Sequence, residues 1–142
     1  MVRSFIKILF PLWLICSWAC QPKKTIKKEY ILGAWKADSV YHFTNGFVQA
    51  IKIEDSEENI VYDYDTTGTV FMRKDGEQRS MKYQIIENDS LVYFDNGGRY
   101  LAGFTIVLLE PEKLVLKKIQ KPLFAGKNQE IYDIRCFSHI NR

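Results

Sequence analysis

The chain has 142 residues, enough for one domain and a tail. Hydrophobic residues make up 46% and charged residues 26%, too apolar for disorder, and 8 Gly and 4 Pro exclude collagen-like and mucin-like chains. Six of the 20 basic residues precede Glu29 and none of the 17 acidic residues does, so the net +3 hides a basic leader followed by a domain with 14 basic against 17 acidic residues. A folded part of that sign carries no basic patch for nucleic acid, and no nucleic-acid partner is expected.

Residues 1–20 read MVRSFIKILFPLWLICSWAC. Arg3 and Lys7 precede an almost wholly apolar run from Phe5 to Ala19, the layout of a secretory signal. The run is short for a spanning helix and is broken by Pro11. An uncleaved anchor is the other reading. Ser17-Trp18-Ala19-Cys20 resembles the lipobox of bacterial lipoproteins. That resemblance implies a signal peptide over 1–19, lipidation of Cys20 by diacylglyceryl and a further acyl chain such as palmitate, and anchorage in the cell envelope, at the outer membrane. Two or more chains are what stable anchoring takes.

Residues 21–29, QPKKTIKKE, read as a Lys-rich tether able to reach about 30 Å if extended. Their lysines suit a hydrophilic spacer and also attract anionic headgroups. Cys16 leaves with the signal and Cys20 carries lipid, so Cys136 stands alone and no disulfide is available to residues 30–142. This domain must stand on its core.

From Tyr30 to Ile140 the hydrophobic period is two. Trp35, Ala37, Ser39, Tyr41 and Phe43 share one face, with Lys36, Asp38, Val40 and His42 on the other. Further short runs centre on Ile51, Tyr62, Val70, Tyr83, Val92, Ile106, Val115 and Ile134, which makes nine candidate strands. Alternation on the last run sets Tyr132, Ile134 and Cys136 on an apolar face, with Cys136 a buried, inert thiol, and Arg135 opposite. Thr67-Gly68, Asp75-Gly76, Asn88-Asp89, Asn96-Gly97-Gly98 and Glu110-Pro111-Glu112 read as tight turns. Short strands joined by hairpins predict an all-β antiparallel sandwich or barrel. Sequential hairpins favour a small up-and-down β-barrel, which also removes exposed edges.

The Gly33-Ala34-Trp35 stretch within ILGAWKADSV, the Gly68-to-Gly76 segment and Leu114-Val115-Leu116 resemble the short lipocalin-like domains of bacterial envelope lipoproteins. The resemblance implies a lipocalin-like barrel over about residues 30–138. In it Gly33 and Trp35 mark the first strand, Trp35 plugs the closed end, and Arg135 on the last strand packs across the indole. It also leaves two states of the interior open, filled or hollow.

Motifs for chemistry are few. His42 and His139 lie far apart in sequence and outside any metal-spaced cluster. Asp63-Tyr64-Asp65-Thr66-Thr67-Gly68 matches the opening of a calcium loop, but Lys74 stands where its bidentate Glu belongs, so two aspartates leading into a hairpin turn are expected instead. Glu54-Asp55-Ser56-Glu57-Glu58 reads as a solvated acidic loop. The Asn96-Gly97-Gly98 amides could face an anion, but no helix follows to strengthen such a site, and a turn needing positive φ is the better reading. No nucleophile motif is present, so no catalytic residue, metal or cofactor is expected.

The aromatic supply carries the binding content. Tyr41, Tyr62, Tyr83 and Phe104, chosen by strand face, are the candidate liners of a site for a small hydrophobic or amphipathic ligand. The alternative is a structural lipoprotein with a packed barrel that docks an envelope protein partner.

Overall fold

A computed structural model describes residues 26–53, 60–122 and 129–140. The signal segment 1–19, Cys20, most of the tether and the acidic run 54–58 lie outside the described residues. A short 3-10 helix (Lys28–Ile31) precedes nine strands: β1 (Gly33–Thr44), β2 (Phe47–Lys52), β3 (Val61–Tyr64), β4 (Thr69–Lys74), β5 (Glu77–Ile86), β6 (Ser90–Phe94), β7 (Tyr100–Leu109), β8 (Lys113–Ile119) and β9 (Ile131–Ile140). Left-handed residues make the tightest reversals. Asn45 and Gly46 (φ 50° and 87°) join β1 to β2, and Asp75 and Gly76 (φ 51° and 83°) join β4 to β5. Asn-Gly is the strongest short hairpin signal, and Asn45-Gly46 joins the turns given above.

All pairings are antiparallel, in the order β2-β1-β3-β4-β5-β6-β7-β8-β9, and β9 closes back onto β1. One edge of β1 is shared in succession: residues 33–36 pair with β3, residues 39–44 with β2. Nine strands therefore make an eight-strand closed barrel, the all-β up-and-down architecture expected from the hairpins.

A β-bulge on β1 corrects the face reading of that strand. Ala37 pairs with Phe137 and Ser39 with Cys136, so β1 advances two residues where β9 advances one, and Asp38 is the extra residue. Trp35 and Ala37 face inward before the bulge. After it Val40 and His42 do, because they stand opposite Arg135 and Asp133. Those two share the face of Phe137, which is in the core, and pair with Leu116 and Lys118. Ser39, Tyr41 and Phe43 consequently turn outward.

The reading of β9 is corrected in the same way. Its inner face carries Asp133, Arg135 and Phe137, while Tyr132, Ile134 and Cys136 lie on the outer side. Cys136 is half-buried, with Val115 and Ser39 as its neighbours in register. Apolarity misled here because the inner face of this strand is the more polar one.

The core is concentrated toward one end. Trp35 is fully buried among Ile31, Tyr64, Val70, Leu91, Tyr93, Leu114, Leu116 and Phe137. At about 25 cal/mol per Å² and some 200 Å² per indole, its burial contributes about 5 kcal/mol. The 3-10 helix lies under this end. Trp35 Nε1 donates to the Ile31 carbonyl at 2.8 Å, and Ile26, Tyr30 and Leu32 pack against the core. Contact with the barrel thus begins inside the stretch read as tether. β2, by contrast, is exposed along its whole length, so the far end of the barrel is thinly filled.

Candidate ligand-binding site

At the thin end a half-open cavity of about 310 Å³ lies where the edge of β1 passes from β3 to β2. Ala37, Val40, Ile51, Ile53, Ile60, Tyr62 and Phe137 form an apolar wall, His42 and Arg135 complete it from the inner face, and the outward pair Ser39 and Cys136 borders it at the bulge. The bulge fixes this wall. The Ala37 amide donates to the Ile60 carbonyl at 3.1 Å and the Ile53 amide to the Asp38 carbonyl at 3.0 Å, so both ends of the β2–β3 connection are tied to it.

Two polar features sit on this lining. His42 Nδ1 lies 2.6 Å from Asp133 Oδ1, and Gln120 Nε2 donates to Asp133 Oδ2 at 2.8 Å. Asp133 is only 6% exposed. Burial pushes its carboxyl up, but the hydrogen bonds from His42 and Gln120 and the His42 and Arg135 charges outweigh that, and its pKa is lowered.

Arg135 is the second feature. Its guanidinium carbon lies 5.3 Å from the Phe104 ring centre, and Lys118 Nζ lies 5.7 Å from the same ring. Its Nε is buried and has no hydrogen-bond partner. Buried donors are almost always paired, and a charged one left unpaired is costly, so this atom is an exception among the described residues. Tyr62 stands beside it. Burial raises the Tyr62 phenol pKa against the pull of the Arg135 charge.

The four candidate liners separate. Tyr62 lines the cavity and meets Phe137 edge-on at 5.7 Å. Phe104 faces inward beneath Arg135 and Lys118. Tyr83 belongs to the closed end, where its hydroxyl donates to the Asp65 carbonyl at 2.8 Å and its ring meets Tyr64 edge-on at 5.0 Å. Tyr41 is on the outer face, opposite Ala50 and Ile134, as the bulge requires. Val40, His42, Gln120 and Asp133 were missed. A one-residue bulge leaves no mark in composition, and a polar inner face runs against hydrophobic patterning.

At the closed end Trp35 is buried as the resemblance implies, but its aromatic partner from β9 is His139 rather than Arg135. The two rings meet edge-on, with centres 4.9 Å apart and planes at 83°. Register explains the exchange: Trp35 pairs with His139, while Arg135 pairs with Val40, beyond the bulge. Gly33 makes room for it. Its φ is +104°, and a Cβ there would lie 2.6 Å from His139 Nε2.

The remaining motifs are occupied by turn chemistry. Asp65 accepts from the Thr67 and Thr69 amides at 2.9 and 2.8 Å, and Asp63 lies 3.5 Å from Arg73. Asp95 accepts from the Gly97 and Arg99 amides, both at 2.9 Å, which uses the donors of the Asn96-Gly97-Gly98 turn. Among the described residues, no group of three or more His, Cys, Asp or Glu could hold a metal ion.

Comparisons with family models, with curated proteins and with solved structures find no match. The fold therefore carries the classification by itself: a closed, antiparallel, eight-strand β-barrel compatible with a lipocalin-like fold.

Proposed function

We propose that this is a lipid-anchored protein of the bacterial cell envelope, held at the outer membrane through Cys20, whose barrel binds a small hydrophobic or amphipathic molecule without transforming it. The cavity beside Tyr62 carries this reading. It is concave, its walls are mainly apolar, and a few polar groups converge on it, which is the make-up of a small-molecule site. The basic leader ahead of an acidic domain suits a secreted and tethered chain.

A thermal-shift screen of short apolar and amphipathic compounds tests the binding reading. A ligand at a hundred times its Kd adds about 2.7 kcal/mol, which moves the midpoint by several degrees. No shift with any compound removes it. For the anchor, Cys20→Ser should leave the chain unprocessed or release it from membranes. A variant that still fractionates as a processed membrane protein removes the lipoprotein reading.

One observation favours a second reading, docking of an envelope protein partner. Val48, Phe43, Tyr132 and Ile119 stand in register on the outer face of four neighbouring strands, with Val48 56% and Ile119 74% exposed. Charge substitutions at Val48 and Ile119 that abolish an envelope function while leaving ligand binding intact would favour it.

A further inference from the structure

We infer that the ligand carries a single negative charge, a carboxylate, and that Arg135 is the residue that selects it. This rests on the cavity-binding reading and names the headgroup. Arg135 lines the cavity, its Nε is buried without a hydrogen-bond partner, and among the described residues it makes no ion pair. A guanidinium is always charged and donates through fixed N–H groups, so a buried Nε–H with no protein acceptor is free to donate to an oxygen of an anion.

No neighbouring side chain among the described residues accepts from that Nε. Asp133 stands two residues away on the same inner face, but its hydrogen bonds run to His42 Nδ1 and Gln120 Nε2, and the Arg135 Nε donates to neither of its oxygens. The Phe104 ring under the guanidinium offers a π-face in place of an acceptor oxygen. Lys118 Nζ lies over the same ring and adds a second positive charge.

The same surroundings limit the charge of the headgroup. The Asp133 carboxylate is close enough to act electrostatically with Arg135, and it repels a second negative charge more than it repels one. A monoanionic carboxylate suits this site better than a dianionic phosphate. Val40, Ile51, Ile53 and Ile60 then take the apolar body, and about 310 Å³ sets its size at a short or medium acyl chain.

The test compares probes with one tail and different heads. The full chain in lipid nanodiscs is titrated calorimetrically with octanoate, octanol and octyl phosphate, with empty nanodiscs as the blank. Octanoate should bind at least about tenfold more tightly than octanol, the scale of one charge-assisted hydrogen bond. Arg135→Met should remove that preference while octanol binding persists, and Arg135→Lys should keep part of it. Equal binding of octanoate and octanol overturns the carboxylate inference and leaves the cavity reading standing. Octyl phosphate binding more tightly than octanoate overturns the choice of headgroup. Binding of none of the three overturns the cavity reading itself. The wild-type comparison decides these outcomes even if Arg135→Met does not fold.

Discussion

Trp35 and His139 meet edge to face across the seam where the first and last strands close the barrel, their ring centres 4.9 Å apart. The contact joins the two ends of the domain, because the same indole also donates to Ile31 in the 3-10 helix below. Trp35→Ala should cost about 3–5 kcal/mol through the lost volume, and His139→Ala about 1 kcal/mol through the lost ring pair. Gly33→Ala should cost more than His139→Ala, since its new methyl meets the imidazole in a left-handed backbone. In the Gly33→Ala/His139→Ala double variant the clash is gone, and the backbone penalty and the loss of the ring pair remain. Urea denaturation of the four proteins checks the ordering. A Gly33→Ala cost that His139→Ala does not relieve would assign it wholly to the backbone.

The buried Tyr64 and Tyr93 hydroxyls are hydrogen-bonded to each other, and burial raises both phenols above their ordinary range. Either single Phe substitution strands the other hydroxyl, at a cost of about 1–3 kcal/mol. The double substitution strands neither and should come close to wild type. A double-mutant cycle by chemical denaturation measures this. Strict additivity of the two losses would mean that the hydroxyls are not coupled.

Asp133 gives the site a pH dependence. Its folded pKa lies below its unfolded value, so its contribution to stability is present above about pH 4 and is lost as the pH falls through the folded value. Asp133→Asn should therefore be destabilised at pH 7, and the gap from wild type should narrow in acid. Asp65 and Asp95 are also lowered, chiefly by backbone hydrogen bonds from Thr69 and Arg99, and add to the acid limb in both proteins. Melting curves from pH 7 to pH 2 provide the check. A gap that widens in acid would reverse the assigned sign.

The bulge makes the sharpest distinction among the tyrosines. Tyr62→Ala should weaken binding of whatever occupies the cavity, and Tyr41→Ser should leave that affinity unchanged, because Tyr41 points away from it. Deletion of Asp38 should make the β1–β9 register regular, with Tyr41 still outward and His42 still opposite Asp133, and should cost stability by removing the bulge carbonyl that accepts from the Ile53 amide. Calorimetric titration of the two substitutions and urea melts of the deletion test these outcomes. A Tyr41→Ser variant with lost affinity would mean the face assignment is wrong.

Much of the architecture was legible because hairpin topology writes itself locally. Period-two runs broken by Asp75-Gly76 and Asn96-Gly97-Gly98 specify both the strands and their sequential pairing. The base was legible too, since a Gly-x-Trp start announces one buried indole. The site was harder to read. One extra residue at Asp38 reverses every later side chain of β1, and nothing in a single strand's composition reports which pairing partner lacks a counterpart. Arg135, Asp133 and His42 face inward against their polarity, and a polar group inside is the kind of exception that patterning assigns to solvent. Tyr62 lies on a strand of regular register, and Phe104 falls in the regular stretch of β7 between its two register shifts, so alternation assigns both to the inner face.

Because Asp38 sits partway along β1, the strand divides its labour, stopper below and rim above. The dividing point is set by chain length alone. Sliding that surplus residue by two positions would make the cup shallower or deeper while leaving its chemistry in place, so capacity could drift in such proteins through small insertions and deletions that substitution counts never register.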